Sequence, residues 1–107
     1  MNKKLHIIFW NCQQQFEPVK LLVEKEVPDI LFLAELNFDE LPDYALEEYS
    51  PLLDSNKPSR KVIIFIRQDL RDDVKVMPTS YHRISALSYQ SELLIIGVHL
   101  PDKMSFD

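Results

Sequence analysis

Two apolar runs in the sequence each end on a side chain that can offer oxygen to a cation. Residues 5–10 (LHIIFW) lead into Asn11, and residues 29–34 (DILFLA) lead into Glu35. Mg²⁺ is a hard cation that is bound through one or two carboxylates together with water and phosphate oxygens. Taken alone, Glu35 is also explained as a solvated residue after a strand, and Asn11 as a turn residue. Their relative position in the fold therefore decides whether they form a site.

The segment between the two runs predicts a βαβ unit. Between residues 16 and 27, apolar residues recur at helical spacing: Val19, Leu22, Val23 and Val27. Pro18 suits the first helical turn and Pro28 ends the helix. A strand, helix and strand over about thirty residues place two parallel strands beside each other. Parallel strands end at the same edge of a sheet, where ligand sites of open α/β sheets lie, so Asn11 and Glu35 are predicted to emerge side by side.

The rest of the chain predicts more strands, joined by short turns. A short helix is expected within residues 41–50, with Asp43 near its start, and a loop at residues 55–60. Apolar runs predict strands at residues 61–67, 74–77, 81–89 and 93–100. Their short connections favour antiparallel pairing. The predicted fold class is α/β (α+β), a mixed sheet with one or two flanking helices in a single domain, residues 1–107.

Several other polar residues are candidates for a site. His99, near the end of the last predicted strand, could hydrogen-bond a phosphate oxygen or protonate a leaving group, or it could be satisfied within the sheet. His6 and His82 have weaker cases, and Arg60 is either a phosphate contact or a solvated loop residue. Cys12 is interpreted as a small buried hydrophobe. No set of histidines and cysteines in the sequence has the spacing of a zinc site.

Composition excludes several classes of protein. With 12 basic and 17 acidic residues, a net charge of −5 and no basic tract, the chain lacks the electrostatic footprint of tight nucleic-acid binding, although a metal can bridge an acidic site to phosphate. The single glycine, Gly97, excludes glycine-rich phosphate loops. The single cysteine excludes an intrachain disulfide. With neither a signal peptide nor a membrane-length apolar run, we expect a cytoplasmic protein without a membrane partner.

Three stretches of the sequence resemble the endonuclease/exonuclease/phosphatase superfamily, the deoxyribonuclease I-like fold. The first stretch, "LHIIFWN" with the amphipathic helix and "PDILFLAE", resembles the opening of the family. The second, "RKVIIFIR", resembles its apolar strand that ends in a basic residue. The third, "LLIIGVHLP", resembles its strand that ends near His-Leu-Pro. The resemblance covers about residues 5–101 and implies one half of a four-layer α-β-β-α sandwich. It implies metal-dependent hydrolysis of phosphoesters, with Glu35 binding Mg²⁺ or Mn²⁺, Asn11 orienting the metal or the phosphate, and His99 contacting the scissile phosphate.

The chain also departs from the pattern of this family. No counterpart of the family's Gly-Asp-Phe-Asn-like segment, or of the closing Asp-His that activates water, follows Pro101. Arg60 and Lys61 stand where the family usually has glycine. We therefore expect a partial metal-dependent phosphoester hydrolase, inactive or nearly so by itself, with the substrate left open among DNA, RNA, inositol phosphates and phospholipids.

Two alternatives remain beside the partial hydrolase. One is a non-catalytic interaction module or homodimerising scaffold built on the same half-fold, and the other is an unrelated α/β architecture. If the facing sheet is missing, strands 5–10, 29–34, 62–66 and 93–98 would expose one apolar face, which a soluble monomer does not tolerate. We therefore expect a homodimer in which two copies pack sheet to sheet about a two-fold axis.

Overall fold

The computed structural model describes residues 4–36, 46–52, 62–79, 81 and 83–99. The elements in chain order are β1 Ile7–Asn11, α1 Glu17–Glu26, β2 Ile30–Ala34, β3 Tyr49–Leu52, β4 Val62–Arg67, a 3₁₀ helix Gln68–Asp73, β5 Val74–Met77, β6 Ile84–Tyr89 and β7 Leu93–Val98. Residues 41–45 of the helix predicted within residues 41–50 lie outside the described residues, and its last two positions belong to β3. Among the described residues, no helix is both long enough and apolar enough to cross a membrane.

The strands form two sheets. The first has four strands in the order β1-β2-β4-β3, and the second has three in the order β5-β6-β7. Only the β1–β2 pair is parallel, with Ile7 opposite Ile30 and Asn11 opposite Ala34; the pairs β2–β4, β3–β4, β5–β6 and β6–β7 are antiparallel. The α+β class with a mixed sheet is confirmed, and so is the βαβ unit, while the later strands divide between two sheets.

Helix α1 covers one face of the first sheet. Its Val19 and Val23 are buried in a core with Leu31, Leu33, Ile63 and Phe65 of the central strands, and Ile8, Trp10 and Phe16 pack against that core. The expectation that Val27 belongs to the apolar face is wrong. This residue is half exposed and ends the helix in a left-handed conformation, φ 43° and ψ 59°, while its N–H donates to the carbonyl of Val23.

The second sheet covers the other face of the first. Ile30, Phe32, Ile64 and Ile66 pack against Val74, Leu87 and Tyr89 in a second core. The Ser85 hydroxyl ties the two sheets together by donating to the carbonyl of Val62 at 2.6 Å. Every residue of β2 is buried, none being more than 2% exposed. The expected uncovered face on strands 29–34 and 62–66 is therefore wrong, because the same chain supplies the covering layer.

A polar clamp joins the amino end of β2 to the carboxyl end of β4. Asp29 is buried, accepts the N–H of His6 at 2.8 Å and pairs with Nη2 of Arg67 at 2.8 Å. Arg67 also pairs with exposed Asp69 at 2.6 Å. The hydroxyl of Tyr49 donates to the carbonyl of Pro28, and burial raises the pKa of this hydroxyl, so it stays a donor at neutral pH.

Candidate active site

The site lies where the two parallel strands end. Asn11 is the last residue of β1 and pairs in register with Ala34, the last residue of β2, so Glu35 follows directly at the same edge. The structure thus brings the positions of Asn11 and Glu35 together, as the βαβ geometry requires. The sequence alone suggested this edge because both strands are apolar up to these residues.

The backbone at this edge is held in an uncommon conformation. Glu35 has φ 61°, and Gln13 and Gln14 have φ 50° and 63°, a left-handed region that costs residues other than glycine about 1 kcal/mol or more. The two turns are tied together, because the N–H of Gln14 donates to the carbonyl of Glu35 at 2.9 Å. Oδ1 of Asn11 accepts the N–H of Gln13 at 3.0 Å. These bonds fix the path of the chain on which both oxygen-bearing side chains sit.

His99 brings the second sheet to this edge. Its Nε2 lies 3.5 Å from Oε1 of Glu35, and the side chains of His99 and Glu35 are 13% and 33% exposed. The N–H of His99 donates to the carbonyl of Arg83 at 2.9 Å, which extends the β6–β7 ladder by one rung and fixes the backbone that carries the imidazole. The predicted His99 therefore contacts Glu35 across the two sheets, at a distance that allows an ion pair when the imidazole is protonated.

The side-chain oxygen atoms at this edge suit the coordination of a hydrated cation. Among the described residues, no group of three or more His, Cys, Asp and Glu side chains is arranged to hold a metal ion, so a closed cage of protein ligands is not formed there. Mg²⁺ keeps several waters and binds through one or two carboxylates. The partly exposed carboxylate of Glu35 meets that requirement, and the amide oxygen of Asn11 retains a second lone pair beside its bond to Gln13.

Cys12, next to Asn11, is a buried structural residue. Its N–H donates to the carbonyl of Ala34 at 3.0 Å, and its Sγ lies 3.3 Å from the same oxygen. Burial raises the pKa of the thiol, and the nearby carboxylate of Glu35 acts in the same direction. The thiol is therefore protonated at neutral pH and a poor nucleophile, which confirms its interpretation as a small hydrophobe.

Of the remaining predicted candidates, His6 does not join this edge. His6 precedes β1, at the opposite end of the first sheet, where its backbone contacts the clamp. His82 and Arg60 lie outside the described residues. A depression of about 400 Å³ lined by Glu48, Arg67, Gln68 and Asp69 also lies at that opposite end.

Sequence reasoning missed Gln13 and Gln14, whose turn locks the two strand ends together. The polar run that follows β1 was the available signal. It also missed the clamp between Asp29 and Arg67. Here the signal was Asp29 at the start of the apolar run 29–34 and Arg67 at the end of the apolar run 61–67.

The comparisons with known proteins concern the fold. No family model matches the sequence, and no curated protein matches it. A crystal structure of D. rerio TDP2, humanised by 14 mutations, is similar with a TM-score of 0.52 and 18% sequence identity. The match covers 86% of this chain and 45% of that chain, so the protein spans less than half the length of this neighbour. At this identity the likeness shows the fold alone: the chain has part of the fold that this neighbour adopts.

Proposed function

We propose that this chain carries the cation-binding half of a phosphoester hydrolase site and binds Mg²⁺ or Mn²⁺ through Glu35. The observation that supports this most directly is the meeting of Glu35, Asn11 and His99 at the carboxyl edge of β1 and β2. The three residues come from three strand ends in two sheets. The likeness of the fold to TDP2 supports the same assignment.

Each residue has a role that its surroundings permit. Glu35 supplies a carboxylate and is exposed enough for a hydrated ion to reach it. Asn11 orients the ion or a phosphate oxygen, because its bond to Gln13 restrains the amide. His99 donates a hydrogen bond to a phosphate oxygen. A bound divalent cation would neutralise negative charge on the phosphoryl oxygens.

We propose cation binding with little or no hydrolysis by this chain alone. In-line hydrolysis of a phosphoester needs a group that positions and deprotonates the attacking water. The 107 residues contain no counterpart of the family's Asp-His pair. The substrate class is a phosphoester, nucleic acid included, and the net charge of −5 disfavours long polyanions in the absence of a bound cation.

Titration with Mn²⁺, followed by paramagnetic broadening of backbone amide resonances, tests the proposal. Broadening is expected to be centred on residues 11–13 and 35–36, with a dissociation constant on the order of 1 mM, as for weak oxygen-ligand sites. Glu35→Gln keeps the size of the side chain and removes its charge, so it is expected to weaken binding at least about tenfold. Glu24→Gln, on the exposed side of α1, is the matched control and should bind like the parent chain.

Broadening centred elsewhere, or unchanged in Glu35→Gln, would reject the cation site. Hydrolysis of a bis(nitrophenyl) phosphate is measured in parallel and is expected to stay at the level of Mn²⁺ in buffer. Turnover that disappears in Glu35→Gln would leave the cation site standing and contradict only the inactivity of the isolated chain.

The second candidate is a non-catalytic interaction module. The exposed apolar residues of β1 and β7 favour it, since Phe9, Leu94 and Ile96 are each more than two-fifths exposed. A chain that binds no Mn²⁺ at Glu35 but associates through these strands would support the module over the hydrolase half.

A further inference from the structure

The carboxylate of Glu35 lies on the face of the first sheet that the alternation of β2 does not predict. Successive side chains of a strand point to opposite faces of the sheet. Leu33 of β2 packs in the core beneath α1, whereas Ala34 packs in the core shared with the second sheet. Continued alternation would therefore place Glu35 beneath α1. Its Oε1 instead lies 3.5 Å from Nε2 of His99, which follows β7 of the second sheet.

The left-handed conformation of Glu35 interrupts this alternation. Its φ of 61° lies outside the strand region. Leu36, which strict alternation would turn towards the second sheet, is buried in the core beneath α1 instead. Asn11 faces the second sheet, because Trp10 and Cys12 on either side of it pack in the core beneath α1. The unusual backbone of one residue thus brings the carboxylate to the face that already carries the amide.

A backbone hydrogen bond from the turn after β1 holds Glu35 in this conformation. The N–H of Gln14 donates to the carbonyl of Glu35 at 2.9 Å. Gln14 and its neighbour Gln13 are themselves left-handed, with φ 63° and 50°, and both are exposed. Left-handed backbone is costly for residues with a side chain, and bonds exposed to water open more easily than those of a core. The Gln13–Gln14 turn is therefore a place where local opening is inexpensive.

We propose that Gln14 is a positioning residue for the cation site: its N–H closes the turn onto the carbonyl of Glu35 and so turns the carboxylate towards Asn11 and His99. This inference rests on the proposed function. Only the closed turn presents the carboxylate beside the amide, so the apparent affinity for the cation falls with the fraction of closed turn. Cation binding favours the closed turn in return, because such coupling is reciprocal. The N–H and the left-handed φ of Gln14 carry this role, and its side chain does not.

Substitutions at position 14 separate the backbone from the side chain. Gln14→Val disfavours positive φ, which is an outlier for a β-branched residue, and is expected to weaken Mn²⁺ binding at least about fivefold. Gln14→Gly removes the side chain but keeps the N–H and adopts positive φ readily, so it is expected to bind at least about fivefold more tightly than Gln14→Val. Gln15→Val is the matched control, since Gln15 is exposed and has no positive φ, and should bind like the parent.

The outcomes separate this inference from the proposed function. If the parent binds Mn²⁺ at Glu35 and Gln14→Val binds it equally well, the positioning role is overturned and the cation site stands. Equal loss of binding in Gln14→Gly and Gln14→Val would also overturn it, because the side chain would then be the group that matters. Parent binding that does not depend on Glu35 would reject the proposed function, and the positioning role with it.

Hydrogen exchange on the unmodified chain keeps the test independent of whether Gln14→Val folds. Mg²⁺ at about ten times its dissociation constant is expected to slow exchange of the Gln14 amide about tenfold, because the ion binds only the closed turn. In Glu35→Gln the same addition should change nothing. The amide of Gln68, bonded to the carbonyl of Glu48 at the opposite end of the first sheet, should not respond in either chain. Exchange at Gln14 that stays the same while Mg²⁺ occupies Glu35 would refute the positioning role.

Discussion

Gly97→Ala tests the packing between the two sheets with a single methyl group. Gly97 is buried in β7, and the new Cβ would lie 2.3 Å from Cδ2 and 2.7 Å from Cε2 of Phe32. Packed carbon atoms lie about 3.5–4.0 Å apart. The sheets or the ring must therefore move by about 1 Å to accept the methyl group.

The size of the effect follows from how little room the ring has. Phe32 is 2% exposed and stacks on Phe9 with the ring centroids 6.0 Å apart. Overpacking of a well-packed core costs about 1–3 kcal/mol, and replacing glycine with alanine returns about 0.4–1 kcal/mol by restricting the unfolded chain. Gly97→Ala is therefore expected to lower the free energy of unfolding by about 1–2 kcal/mol.

Urea unfolding followed by circular dichroism, at one fixed protein concentration, measures this loss. A double-mutant cycle with Phe32→Leu identifies its cause, because the shorter side chain removes the ring atoms that the methyl group meets. In the Phe32→Leu background, Gly97→Ala is expected to cost at least about 0.5 kcal/mol less than in the parent. A neutral or stabilising Gly97→Ala in the parent, or an equal cost in both backgrounds, would show that the sheets are not packed as closely as described.

Three further changes test other parts of the molecule. Val27→Gly relieves the left-handed conformation at the end of α1 and should raise the melting temperature, with a gain of about 0.5–1 kcal/mol after the entropy cost of glycine. Asp29→Asn leaves Arg67 without its buried partner and should cost about 2–4 kcal/mol in urea unfolding, whereas Asp69→Asn, at an exposed pair, should cost less than about 1 kcal/mol. Burial raises the pKa of the Cys12 thiol, so its contribution to stability is complete below about pH 8.5 and is lost as the pH rises further. The free energy of unfolding should consequently fall more steeply above about pH 9 in the parent than in Cys12→Ala.

Each of these expectations has a contrary result. A lower melting temperature for Val27→Gly would mean that its side chain contributes more by packing than its conformation costs. Equal losses for Asp29→Asn and Asp69→Asn would remove the distinction between the buried and the exposed pair. Parallel pH profiles for the parent and Cys12→Ala would show that the thiol titrates alike in the folded and unfolded chains.

The sequence predicted the part of the fold that rests on local pattern. An apolar run, an amphipathic helix and a second apolar run can pack together essentially one way, with parallel strands and a right-handed connection. This local pattern is sufficient to predict that Asn11 and Glu35 lie at one edge of the sheet. His99 at the end of a late strand was also identified, although nothing local to it indicated which edge it would reach.

The division into two sheets could not be predicted in the same way. β2 and β4 are apolar on both faces, and such a run indicates that both faces are covered without indicating by what. Whether a helix, a sheet or a second molecule covers them depends on contacts between residues far apart in the sequence, such as the bond from Ser85 to Val62. The role of Val27 was missed for a related reason, since an apolar residue at helical spacing resembles a core position even where the helix ends.

Trp10 is the single tryptophan in the sequence, and it packs against the core beneath α1, one residue before Asn11. Its fluorescence therefore originates from the strand that leads into the candidate site and from the helix layer, and not from the three-stranded sheet. An unlabelled sample thus carries its own optical probe of one layer of the sandwich. Comparing the tryptophan emission with the far-ultraviolet signal during unfolding would show whether the two sheets come apart together.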